Sequence, residues 1–148
     1  YKIDCEIRKF INIKSQNIIA FRLLLGYINN FDKNINLPLF YGYKIGGQNS
    51  LRGWLSSADY ENAQGGFIME ILNFEYRRSI IKNFGGVLFY DIGRLYNNEK
   101  NFYITKYAWN YGVGLVYKTS WGPIRTDFGI PYGKMANTKI HLSLLYLF

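Results

Sequence analysis

Apolar and polar positions alternate along most of this chain with a period of two, the spacing of a strand that has two different faces. Residues 1–8 set the pattern. Tyr1, Ile3, Cys5 and Ile7 share one face, and Lys2, Asp4, Glu6 and Arg8 share the other. A polar turn at 14–17 follows, and a second strand runs from about Ile18 to Tyr27. Alternation then stops across residues 28–66, a stretch of Asn, Asp, Lys and Gly with scattered aromatics. A connection that long without a period inside a compact domain argues either against an ordinary fold or for a functional loop. Alternation returns near Phe67, where Leu72, Phe74 and Tyr76 oppose Asn73, Glu75 and Arg77. A turn is expected over 81–86, then a strand from Val87 to Gly93 with Leu88, Tyr90 and Ile92 opposite Phe89 and Asp91. A polar stretch at 94–106 leads to a strand at 111–118, a tight turn at 119–123, and a strand at 124–130. After a loop at 131–138, the last strand is expected to run from Lys139 to Phe148.

The pattern therefore predicts an all-β chain of seven strands, each about ten residues long, the length of a tilted strand crossing a bilayer. Connections alternate between short and long, the rhythm of an antiparallel transmembrane β-barrel with tight periplasmic turns and longer outer loops. Seven strands do not close a membrane barrel, and an open sheet would leave bare backbone edges in lipid. The chain is thus expected to be one piece of a larger barrel. A β-sandwich is the alternative, but it does not account for the rows of Tyr, Phe, Leu and Ile on nearly every strand.

Composition sharpens this picture. Aromatics make up 19% of the 148 residues, which suits strands with aromatic girdles at two membrane interfaces. No run of 18 apolar residues occurs, so a membrane-spanning helix is not expected. The net charge is +8, yet the basic residues are spread along the chain, which argues against nucleic acid as a partner. The one cysteine, Cys5, excludes an internal disulfide and is expected to be a small packed apolar side chain. No secretory leader opens the sequence, so any targeting segment is expected upstream.

The chain offers little for catalysis. No Cys/His cluster has zinc spacing, and no cofactor fingerprint occurs: Gly112 and Gly114 lie within a strand, where small residues leave lumen space for something bulky. The single histidine, His141, falls on the polar face of the last strand without an activating partner and is expected to be satisfied or solvated. Asp4 and Glu6 sit among Lys2 and Arg8 as a charge ladder. Two carboxylates stand out by position: Glu75 and Asp91 face inward on successive strands. Arg52 lies in the loop leading to the first, between Gly-rich turns. Its guanidinium is either solvated or a plug seeking those acids, since it presents a fixed fork of donors.

Five groups of residues, taken in order, resemble the C-terminal part of the barrel in the outer-membrane assembly-factor superfamily, the BamA/TamA-like or bacterial surface antigen group. They are the loop motif Gly46-Gly47, Ser50-Leu51, Arg52-Gly53-Trp54 after Leu37-Pro38-Leu39-Phe40; Phe74-Glu75-Tyr76; Phe89-Tyr90-Asp91-Ile92-Gly93; Gly112 and Gly114 with Gly122-Pro123 and Pro131; and the terminal Phe148. Trp54 stands where Phe or Tyr is usual, and Ser143 where the final strand often has Gly. The resemblance implies that this is the last seven strands of a barrel of about sixteen, with the earlier strands and periplasmic domains upstream. It implies that the loop at about 28–66 enters the lumen and locks there through Arg52, Glu75, Phe89 and Asp91. Leu144, Tyr146 and Phe148 would belong to a C-terminal targeting strand. The implied function is non-enzymatic and needs no cofactor or metal: folding and inserting β-barrel proteins into the outer membrane through a lateral seam. Partners would be outer-membrane lipid, nascent β-barrel clients, and periplasmic or lipoprotein accessory subunits. The membrane would be that of a bacterium or an organelle. A translocation pore for secreted protein, or the membrane anchor of an upstream patatin-like lipase, are the alternative roles.

Overall fold

A computed structural model describes residues 1–14, 16–32, 37–55, 65–98, 106–133 and 137–144. Seven strands form one antiparallel sheet in chain order. They are β1 (Lys2–Lys14), β2 (Asn17–Ile28), β3 (Ile68–Ile81), β4 (Phe84–Tyr96), β5 (Ala108–Thr119), β6 (Gly122–Pro131) and β7 (Lys139–Leu144). Each strand pairs only with its neighbours in sequence, which is the meander of an up-and-down barrel wall. No described pairing joins β1 to β7.

Several strands are longer than their alternation predicts. The turn expected over 81–86 is only Lys82 and Asn83, and Phe84, Gly85 and Gly86 pair with β5 instead. Gly85 had read as a turn residue, yet it lies where the Arg78 carbonyl and the Val116 side chain crowd the strand. β7 is described only to Leu144, so the expected positions Tyr146 and Phe148 lie outside the described residues.

The two faces differ sharply. Outward positions on β4, β5 and β7, such as Leu88, Val113, Leu115, Ile140 and Leu142, are all exposed. Exposed apolar rows on these strands suit a surface covered by lipid. Aromatics bound this band. Phe84 and Tyr117 lie 4.7 Å apart near the short turns, and Trp109 stacks on Tyr132 at 3.7 Å near the far end. Cys5 is exposed on this outward face, not packed as expected, because among the described residues nothing covers the outward side of β1.

The inward face carries the buried residues. One apolar cluster joins Met69, Ile71, Leu95 and Ala108 of the wall to Tyr43, Ile45, Leu51 and Trp54 of the connection between β2 and β3. That connection folds onto the inner wall. It contains a 3-10 turn at Leu39–Tyr41 and a backbone bridge from Tyr43 to Gly66. Four buried apolar side chains of the loop give it a reason to leave water; fully burying each stabilises by about 1.5–3 kcal/mol.

Candidate functional site

The stretch from Gly46 to Trp54 makes its own compact turn. The Gly47 N–H donates to the Trp54 carbonyl at 2.5 Å, and the Trp54 N–H donates to Leu51 at 3.0 Å. The Ser50 hydroxyl accepts from the Gly46 N–H at 3.1 Å. Gly46 and Gly47 have φ of 107° and 84°, a region that disfavours any side chain. These bonds push Arg52 and Gly53 out as the tip.

Space on the wall receives that tip. A Cβ on Gly53 would sit 2.5 Å from Asn110 Cβ, and one on Gly129 would collide with the Arg52 carbonyl. Two glycines thus let one backbone lie directly on another. Gly112 and Gly114 do similar work beside it, leaving room for the Phe89 ring and the Asp127 carboxylate.

Arg52 is completely buried, as are Asn73, Glu75, Asp91 and Asn110. Its Nε and Nη2 donate to the two oxygens of Asp91, at 2.9 and 2.6 Å, the bidentate fork that suits guanidinium. Its backbone N–H donates to the same carboxylate at 3.1 Å. Nη1 donates to Glu75 Oε1. The guanidinium lies over the Phe89 ring, 3.6 Å from its centre. The structure therefore brings together Arg52, Glu75, Phe89 and Asp91. Asn73 and Asn110 fill the remaining acceptor positions of Asp91, at 2.8 and 2.9 Å.

The site extends beyond the residues singled out from sequence. Arg125 on β6 forks onto Glu75, with Nη2 at 2.7 Å and Nη1 at 3.1 Å, and its Nε donates to Asp127 at 2.8 Å. Arg77 donates to Glu75 at 2.7 Å, and Asp127 lies 3.6 Å from Arg52. Three arginines thus meet three carboxylates, so the buried network is neutral. His141 on β7 reaches the Arg52 carbonyl at 2.7 Å. A carbonyl only accepts, so Nε2 of His141 carries the hydrogen. The inward parity of Asn73, Asn110, Arg125, Asp127 and His141 was readable; their convergence depends on strand register across the sheet, which no local pattern encodes.

The rest of the loop is held less tightly. Ser50 accepts from Asn73 at 2.8 Å through its carbonyl, and the Asn49 carbonyl accepts from Arg22 of β2 at 2.8 Å. Tyr43 donates to Asp4 at 2.5 Å. Burial, and then this bond, push its phenol pKa above the ordinary range. Leu144 points outward and is exposed. Among the described residues no group of three or more His, Cys, Asp or Glu could hold a metal ion. The acids are saturated by guanidinium and amide donors, an arrangement suited to fixing a backbone and not to moving protons.

Comparison with known proteins gives a consistent result. The profile of the Omp85 superfamily domain matches residues 1–144. The crystal structure of BamA from Haemophilus ducreyi lacking POTRA domains 1-3 superposes with a TM-score of 0.73 at 20% sequence identity. The match covers 95% of this chain and 33% of that one, so this chain spans about a third of its length. No curated protein matches.

Proposed function

This chain belongs to the Omp85 superfamily, and on that premise we propose that it forms the C-terminal wall of an outer-membrane barrel that folds and inserts other β-barrel proteins. In this reading it supplies the last seven strands of a barrel of about sixteen. Client strands add to an exposed edge at a lateral seam, because backbone groups entering lipid must find partners. The work is strand pairing and not bond-breaking chemistry. The single observation that carries the reading is the fully buried network centred on Arg52. It fixes a loop tip onto the inner face of β3, β4 and β6 and keeps that wall rigid while the seam moves. Arg52, Glu75, Phe89 and Asp91 are the lock, and Gly46, Gly47, Ser50, Leu51, Gly53 and Trp54 shape the tip that carries it.

The test is reconstitution of the full-length protein in proteoliposomes with an unfolded β-barrel client, following its folding by gel mobility. The wild type is expected to speed client folding, and Arg52→Ala to lose most of that gain. Export of a soluble substrate without any effect on client folding would overturn the assembly reading in favour of a translocation pore.

A further inference from the structure

Charge is segregated along the height of the wall. None of the chain's ten carboxylates falls within residues 9–21, 76–90 or 111–126, the segments that flank the three short turns. Those segments nonetheless carry many basic residues. Arg77 and Arg125 are drawn upward to Glu75 and Asp127. Arg78, Lys82 and Lys118 remain exposed near the turns, with no carboxylate partner among the described residues. Lys118 shares the inward parity of Val116 and meets the Ser79 hydroxyl at 3.4 Å. By contrast, several basic groups farther from the short turns are matched: Lys2 with Asp4, Arg8 and Arg22 with Glu6, and Arg94 with Glu70.

The same rim carries an aromatic skirt. Phe84 and Tyr117 pack together on the outward face, and Trp121 in the β5–β6 turn is 95% exposed. Exposed tryptophan and tyrosine at a strand end mark headgroup depth in a bilayer. Cations at that depth with no acid beside them form a one-signed cluster. A zwitterionic surface offers such a cluster no net opposing charge, whereas anionic headgroups do.

From this juxtaposition we infer that the short-turn rim of the barrel recruits anionic phospholipid, with Arg78 and Lys82 meeting the headgroup phosphates on the same rim as Trp121. The inference rests on the membrane-barrel reading above. It goes further in assigning a lipid class to one leaflet.

The experiment uses the full-length protein in phosphatidylcholine nanodiscs doped with equal fractions of brominated phosphatidylglycerol or brominated phosphatidylcholine. Trp121 is read as the difference in fluorescence between wild type and Trp121→Phe. Quenching by the anionic lipid is expected to exceed that by the zwitterionic lipid roughly fivefold at low salt. The excess is expected to vanish near 1 M salt, and in the double variant Arg78→Gln, Lys82→Gln, whose heat-shifted gel mobility reports that it has folded. Equal quenching by both lipids overturns the inference, as does a folded double variant that keeps the preference. Equal quenching together with salt-sensitive crosslinking of the turns to an acidic protein assigns the rim to a protein partner instead. Absence of quenching by either lipid overturns the membrane reading itself.

Discussion

Two regions of the inner wall use the same chemistry in opposite ways. On β1 and β2, Glu6 accepts from Arg8 at 2.8 Å and from Arg22 at 2.5 Å, while Lys2 lies 3.5 Å from Asp4. On β3, β4 and β6, Glu75, Asp91 and Asp127 accept from Arg52, Arg77 and Arg125. The residue types and distances are alike. What separates the two regions is the loop tip, which excludes water from the second and leaves most of the first open. An ion pair in water gains little because solvent already does the work of its partner. The same pair under the tip has no solvent to fall back on, so each missing partner leaves a stranded charge. Burial, and not the count of salt bridges, decides which region holds the structure together.

The sharpest way to break this contrast is at its centre. Arg52→Ala leaves Glu75 and Asp91 buried with fewer donors and is expected to destabilise the full-length protein by about 3–5 kcal/mol, read from urea unfolding in detergent micelles. Arg52→Lys keeps the charge but loses the fork, and should recover less than half of that loss. A pair of changes, Glu75→Gln with Asp91→Asn, is expected to resemble Arg52→Ala. Wild-type stability in all three would mean that the tip is not held by charge.

The next effect is steric. Gly129→Ala puts a methyl group into the Arg52 carbonyl and should cost about 1–3 kcal/mol through displacement of the tip, with Gly86→Ala on the same sheet as a mild control. Increased protease cutting within 46–54 in Gly129→Ala, and none in Gly86→Ala, would locate the damage.

A smaller loss is expected from Asn110→Ala, which takes one of several donors from Asp91 and should cost about 0.5–1.5 kcal/mol by the same unfolding assay. The smallest belongs to the open region: Arg8→Gln is expected to change stability by about 0–1 kcal/mol, and any effect should fade with added salt. A loss there as large as that of Arg52→Ala would erase the distinction between the two regions.

Much of this was legible in the residues themselves. Alternation located every strand, because one face meets lipid and the other the lumen along the whole length of each. The same parity put Glu75 and Asp91 on the inner face and left Arg52 facing a choice between water and those acids. Strand ends were harder, since the pattern fades where Gly85 and Gly86 replace large side chains. The far half of the site was hidden for a different reason. Arg125 lies 50 positions from Glu75 in sequence, and only the stagger of three intervening strand pairings brings them together. The apolar seat of the loop was equally silent, because Tyr43, Ile45, Leu51 and Trp54 occur in a stretch without a period.

The order in which strands pair has a consequence in time. Each strand finds its partner next to it in sequence, so the wall can zip up hairpin by hairpin through fast local closures. Arg52 belongs to none of those steps. Its seat exists only once β3, β4, β6 and β7 stand in register, since Glu75, Asp91, Gly129 and His141 come from four different strands. Docking of the tip is therefore a late event that reports on the whole wall. Pulsed hydrogen exchange during refolding should show the strand amides protected first and the Arg52 amide, bonded to Asp91, last. A chain with one strand out of register would keep its loop in water, exposed to proteases: a built-in inspection of the finished wall.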